Sequence, residues 1–268
     1  VLSNGFSITG DIIVAPDGHL ELDANTVDAT GDLTVTISNT PGDGLIMNHN
    51  ADVLNIGGNA VFTTVSQHGS AASDGNFTHG VLRVRGNFTQ TKSGASAGAN
   101  VFVSTGTKVV FDGSGPQAVS FFQAGAANSR VDDVDIQNTS GVSFNTSVYV
   151  MGQLTMKDGA SLSQVNPLST FFGARLPIIP SSATYAVANT HTSGQVVLDH
   201  SLSMVEPENS LFVEPNSTLT LNGHTMDIGG DLTVTISNTV GDGLIMTDPN
   251  DEFTVNGHAF FTTSSNHG

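Results

Sequence analysis

The amino-acid sequence predicts an all-β chain wound as a right-handed parallel β-helix, a β-solenoid with coils of about 20–28 residues grouped in a tandem module of about 199 residues. Three observations lead there: a long internal repeat, a shorter Gly-marked period beneath it, and a composition that favours strands. Residues 31–69 read GDLTVTISNTPGDGLIMNHNADVLNIGGNAVFTTVSQHG, and residues 230–268 read GDLTVTISNTVGDGLIMTDPNDEFTVNGHAFFTTSSNHG. The offset is 199, and 25 of the 39 positions are identical. The match continues more weakly upstream, where Val14, Pro16, Leu20, Leu22, Thr26 and Asp28 recur as Val213, Pro215, Leu219, Leu221, Thr225 and Asp227. The chain therefore divides into a first solenoid module, 1–199, and the start of a second copy, 200–268, continuous with the first.

The shorter period is a Gly, a polar or small residue, and then an apolar-rich strand. It begins at Gly10, Gly31, Gly58, Gly86, Gly106, Gly152, Gly230 and Gly257, with Asn209 in the Gly10 position of the second copy. Most gaps are 20–28 residues; the gap of 46 reads as two coils and the gap of 57 as two coils with an insertion. A unit this short cannot bury an apolar face alone and must stack on its neighbours. In a parallel β-helix each strand pairs with its counterpart one coil away, about 4.8 Å distant. The recurring Leu, Ile, Val and Phe then point inward and Thr, Ser, Asn and Asp outward. The coil-start Gly is expected where a corner needs positive φ. A string of β-sandwiches, with strands every 8–12 residues, is the competing architecture. Residues 162–197 lack the coil motif and contain Pro167, Pro177 and Pro180. They read as an irregular insertion, either a surface loop or an arm that packs along the solenoid or docks on a neighbour, with its apolar Leu176-Pro177-Ile178-Ile179 needing cover.

Alternating runs such as Leu33-Thr34-Val35-Thr36-Ile37 give the strand signal, and no dozen residues show helical periodicity. With 7 Lys plus Arg against 24 Asp plus Glu, nucleic-acid binding is excluded as a function class, because phosphate contacts need basic side chains. Zero Cys rules out disulfides and thiolate chemistry. No apolar run is long enough to span a bilayer. The sequence starts without Met and stops within the second copy, so it reads as a processed or excised piece.

Candidate chemistry is sparse. Asp32 and Asp43, with their copies Asp231 and Asp242, offer hard oxygen ligands for Ca²⁺ beside Asp-Gly turns that need no ion to explain them. No other cofactor is expected. Asp132-Asp133-Val134-Asp135 is the nearest approach to a pair of catalytic carboxylates. It is similar to pectin-degrading β-helix hydrolases only in that cluster, with no Gly-His-Gly element and no Arg-x-Lys partner; an outward acidic strand with Val134 and Ile136 inward explains it equally. Of nine His, only His68 and His267 coincide across the repeat, and none has metal-ligand spacing. Thr34/Thr36, Thr218/Thr220 and Thr233/Thr235 resemble the Thr-x-Thr rows of ice-binding solenoids but skip most coils. The doublets Phe121-Phe122, Phe171-Phe172 and Phe260-Phe261 read as one inward and one outward ring each. Five Asn-x-Ser/Thr sequons start at Asn76, Asn87, Asn138, Asn145 and Asn216.

The segments Val142-Ser143-Phe144-Asn145, Val148-Tyr149-Val150 and Gly152-Gln153-Leu154-Thr155-Met156 resemble the degenerate repeats of large prokaryotic extracellular β-solenoid proteins, including filamentous adhesins and autotransporter-like passengers. The resemblance covers most of 1–160 and 200–268 and transfers no catalytic residue. It implies secretion to the cell surface and a fibrous or adhesive, non-enzymatic role. The partners expected are copies of the chain stacked end to end, and surface glycans. The competing class is a carbohydrate-active enzyme or glycan-binding module on a pectin-lyase-like β-helix.

Overall fold

The structure, a computed structural model, describes residues 5–264 apart from 39, 41, 66–74, 93–99, 166 and 238. Its described elements are β-strands of three to five residues, with no helix among them. They form sheets of seven, eight, six, three, three and two strands, and every strand pairing among the described residues is parallel. Parallel neighbours one coil apart exclude the sandwich alternative, whose strands pair antiparallel. The chain winds as a β-solenoid of about ten turns, which at about 4.8 Å per rung gives a stack roughly 50 Å long.

One inward column shows the winding. Ile12 pairs with Leu33, Leu33 with Ala60, Ala60 with Phe88, Phe88 with Val119 and Val119 with Phe144. All six are buried. The residues between them face out, so strands such as Leu33–Ile37 alternate buried and half-buried. Large rings fill the middle of the stack: Phe62 and Phe88 lie 5.4 Å apart between centroids, as do Phe88 and Phe121, and Phe102 meets Phe62 at 4.8 Å. Such burial contributes about 1.5–3 kcal/mol per large apolar side chain, which carries a fold that has no disulfide.

Gly10 has the expected positive φ, 128°, but the other coil-start glycines are needed for proximity. A Cβ on Gly31 would overlap the Asp11 carboxylate, and one on Gly58 the Asp32 carboxylate; neither glycine has positive φ. Corners of successive coils touch there, and only a hydrogen fits between them. Positive φ falls elsewhere on turn residues such as Gly44 (95°) and its copy Gly243 (104°).

Residues 162–197 are not an insertion. They supply strands Ser161–Gln164, Thr170–Phe172, Thr184–Val187, Asn189–Thr192 and Gln195–Val197, all laddered to neighbouring coils. Outward residues Tyr149, Phe171, His191 and Phe212 align rung upon rung, giving coil lengths of 171−149=22, 191−171=20 and 212−191=21 residues. The 57-residue gap thus holds almost three short coils. The pattern is hard to read because polar side chains occupy inward positions: buried Thr170 donates from Oγ1 to Gln164 Oε1 at 2.9 Å, and Tyr185 Oη lies 3.0 Å from Thr190 Oγ1. Pro167, Pro177 and Pro180 lie outside the strands, while Leu176 is buried and Ile179 packs on the core.

The 199-residue repeat is preserved rung for rung. Leu33–Ile37 pairs with Ala60–Thr64 from Leu33↔Ala60 to Ile37↔Thr64, and Leu232–Ile236 pairs with Ala259–Thr263 from Leu232↔Ala259 to Ile236↔Thr263. The pairs Thr26↔Val53 and Thr225↔Glu252, and His19↔Gly44 and Thr218↔Gly243, agree likewise. Equivalent strands do not share a sheet: Leu33–Ile37 lies in the eight-stranded sheet and Leu232–Ile236 in the six-stranded one.

Candidate functional site

The four aspartates with calcium-ligand chemistry each accept a main-chain N–H, across coils at Asp32, Asp231 and Asp242 and within its own turn at Asp43. At the corners, Asp11 Oδ1 accepts the Asp32 N–H at 2.8 Å, Asp32 Oδ1 the Asn59 N–H at 2.7 Å, Asn59 Oδ1 the Asn87 N–H at 2.9 Å and Asn87 Oδ1 the Ala118 N–H at 2.8 Å. In the second copy Asp231 Oδ1 accepts the His258 N–H at 2.8 Å. That bond is the main reason the Asp231 carboxyl sits below the ordinary range. Each carboxylate or carboxamide therefore satisfies a donor of the following coil, and the bonds all run in one direction along the stack. Asp43 Oδ2 accepts the Ser38 N–H at 2.6 Å, and Asp242 Oδ2 the Ser237 N–H at 2.6 Å. The Ser237 side chain and N–H hold the Asp242 carboxyl low as well.

Around these turns the sequence reading missed two partners. Asp17, at φ 62°, accepts the Ser38 and Thr40 hydroxyls at 2.6 and 2.9 Å; Asn216, at φ 61°, accepts the Ser237 and Thr239 hydroxyls at 2.8 and 2.9 Å. Asp and Asn tolerate this left-handed backbone better than other side chains. Asp52 is fully buried and accepts the Ala24 N–H at 2.7 Å and the His49 N–H at 3.0 Å. Its copy Asp251 repeats the clamp on Gly223 and Asp248 at 2.7 and 2.9 Å. The signal for this pair was present as one of the identities inside the repeat, lost among neighbouring differences. No three His, Asp or Glu side chains gather around a common point among the described residues. The four candidate aspartates are therefore not brought together in one such group.

The acidic run near residue 132 is also divided. Val134 and Ile136 are buried, Asp133 Oδ1 accepts the Gln153 N–H at 2.9 Å, and Asp135 lies 3.6 Å from Lys108 Nζ. Burial, with repulsion from Asp133, raises the Asp132 carboxyl above its usual range. The three carboxylates are thus committed to different surroundings rather than converging across a groove.

The Phe doublets behave as expected where the core is closed. Phe121 and Phe172 are buried, and Phe122 and Phe171 face outward, with Lys92 Nζ 4.3 Å from the Phe122 ring centre. Phe171 belongs to an outer stripe in which Tyr149–Phe171, Phe171–His191 and His191–Phe212 are spaced 6.0, 4.6 and 4.5 Å. The rings cover one another, Tyr149 is buried beneath them, and His191 Nδ1 lies 2.6 Å from Glu214. The Thr rows are broken: Thr34 meets Val61, and Thr233 meets Phe260, on the next rung. Among the sequons, Asn76 and Asn138 are buried with Nδ2 donating to Asp43 O and Gly115 O, whereas Asn87, Asn145 and Asn216 are exposed. His68 and His267 lie outside the described residues.

The main exposed apolar layer is an end of the stack. Phe261 is 64% exposed where its first-copy equivalent Phe62 is 0%, Met246 is 45% where Met47 is 0%, and Ile236 is 37% where Ile37 is 1%. Among the described residues no helix is long and apolar enough to cross a membrane. No protein-family model matches this sequence, and no curated protein or solved structure is significantly similar to it.

Proposed function

We propose that the chain is a length of extracellular structural or adhesive fibre, extended by tandem modules or by end-to-end stacking of coils. One observation carries the reading: a 39-residue segment recurs 199 residues later with the same rung-by-rung pairing and the same corner bonds. Selection for a single active site gives no reason to rebuild the same two coils further along one axis, whereas selection for length does. The polar side chains fit this use. Asp, Asn, Ser and Thr knit each coil to the next, and an excess of 24 acidic over 7 basic residues keeps long assemblies apart by repulsion. Secretion and contact with surface glycans belong to the same proposal.

Cell fractionation with electron microscopy of the native material tests it. The expected result is surface-attached or shed filaments one solenoid wide. Discrete particles that cleave a glycan, or material confined to the cell interior, would overturn it.

A further inference from the structure

We propose that the coils between Gly173 and Asn209 form a compliant joint, at which the solenoid opens along two of its three faces and turns about the sheet that stays continuous. The joint is a property of the rod itself and holds whether or not the chain serves in a fibre.

The chain visits three faces in each coil. Val148–Val150, Leu154–Met156 and Ser161–Gln164 occupy them in one coil, and Asn189–Thr192, Gln195–Val197 and Leu202–Met204 occupy them two coils later. On the first face the ladder is unbroken: Val148–Val150 pairs with Thr170–Phe172, that strand with Asn189–Thr192, and that one with Ser210–Val213. On the other two faces it is cut. Leu154–Met156 is the last strand of the seven-stranded sheet, and Gln195–Val197 begins a new sheet. The coil between them adds only an isolated bridge, Thr155 to Ile178. Thr184–Val187 is the last strand of the eight-stranded sheet, and Leu202–Met204 begins another. Pro177, Pro180 and Pro207 lie in the stretches outside strands, where a ladder would demand N–H donors that they lack.

Independent features fall on the same seam. Two open clefts of about 350 and 310 Å³ flank Thr184–Val187, one lined by Pro180 and Val205, the other by Val165 and Glu208. Val165 and Val205 are exposed on their walls. The interior is polar here, with Gln164, Thr170, Thr190 and Asn209 buried where the earlier coils hold Phe62, Phe88 and Phe102. Buried Gln153 Oε1, Thr192 Oγ1 and Asn209 Oδ1 have no hydrogen-bond partner. Side chains stand in for missing rungs: Gln153 Nε2 donates to Leu176 O at 2.6 Å, and Asn209 Nδ2 to Tyr185 O at 2.8 Å. The uninterrupted sheet, by contrast, keeps its ladder and carries the stacked rings of Phe171, His191 and Phe212. Solenoid stability is a sum of contacts between neighbouring coils, so the layer with the fewest rungs yields first. In a fibre this gives the module one place to bend under load.

Spin-label distances test the joint, and a chain without native Cys lets each label be placed alone. Three double-cysteine variants of the full chain each span four rungs, about 19 Å. Met151→Cys with Thr235→Cys lies along the continuous sheet. Ser143→Cys with Asp227→Cys crosses the cut faces. Thr34→Cys with Asn145→Cys lies along the unbroken part of the eight-stranded sheet. Narrow distance distributions are expected for the first and third pairs, and one about twice as broad for the second. Amide exchange of the unlabelled chain reads the same opening without labels. Thr184–Val187 and Leu202–Met204 are expected to exchange about tenfold faster than Val142–Phe144 and Thr225–Ile228 on either side. Circular dichroism checks that the labelled variants fold, and exchange alone decides if one does not. Equal widths for all three pairs, broadening of the Met151–Thr235 pair, or equal exchange across the seam each overturns the joint.

Discussion

Residues 53–64 and 252–263 are the same pair of strands built twice, and they differ in what lies on top of them. Both begin from the same turn chemistry and take the same register on the coil below. The first is sealed beneath Val81–Val84 and Phe88–Gln90; the second has an open upper face. The comparison separates two contributions that are usually entangled in a solenoid: what a coil's own sequence supplies, and what the next coil supplies by covering it. Corner bonds and strand register belong to the first. Burial of Phe62 against Phe261 belongs to the second, and in a stack where each layer touches only its neighbours it dominates.

The largest expected effect breaks the symmetry of that ring. Phe62→Ala should cost about 3–5 kcal/mol, since it opens a cavity among Phe77, Phe88 and Phe102, whereas Phe261→Ala should cost under about 1 kcal/mol in the monomer. Chemical denaturation of the two variants checks the ratio. Next comes the clamp. Asp52→Ala strands the Ala24 and His49 N–H groups in a buried setting, for a loss of about 1–3 kcal/mol, and Asp251→Ala should lose less because water replaces the carboxylate. Gly58→Ala drives a methyl group into the Asp32 carboxylate and the Gly31 backbone, and should cost about 1–3 kcal/mol of melting stability.

The smallest effect is on pH. Asp231 and Asp242 are held low by the N–H and hydroxyl donors they accept; at Asp251 burial pulls upward, but the N–H groups of Gly223, Asp248 and Thr247 outweigh it. A depressed carboxyl stabilises the fold above its unfolded pKa of about 3.9, and the contribution disappears as pH falls through the depressed value. The coils that hold these three carboxylates should therefore loosen on acidification below about pH 4. Amide exchange across 218–255 at stepped pH would show it, and unchanged protection there would contradict the assignment.

The coiling was legible because it depends on repetition: Leu33, Ala60 and Phe88 sit in one column as the Gly-marked period implies. Two things were not legible. Residues 162–197 hide their coils because inward Gln164, Thr170, Tyr185 and Thr190 satisfy one another by hydrogen bonds, so the apolar alternation that marks a strand is diluted. The aspartates suggested an ion because sequence gives the ligand type but not the direction in which its oxygens point. In three dimensions Asp32 and Asp43 accept main-chain N–H groups, a use for which any corner with a spare donor suffices.

Hydrogen exchange of this chain, resolved to residues 53–64 and 252–263, probes most directly whether cover rather than coil sequence decides stability. Slow exchange in the first segment and fast exchange in the second are predicted. Equal protection of both segments would contradict the account.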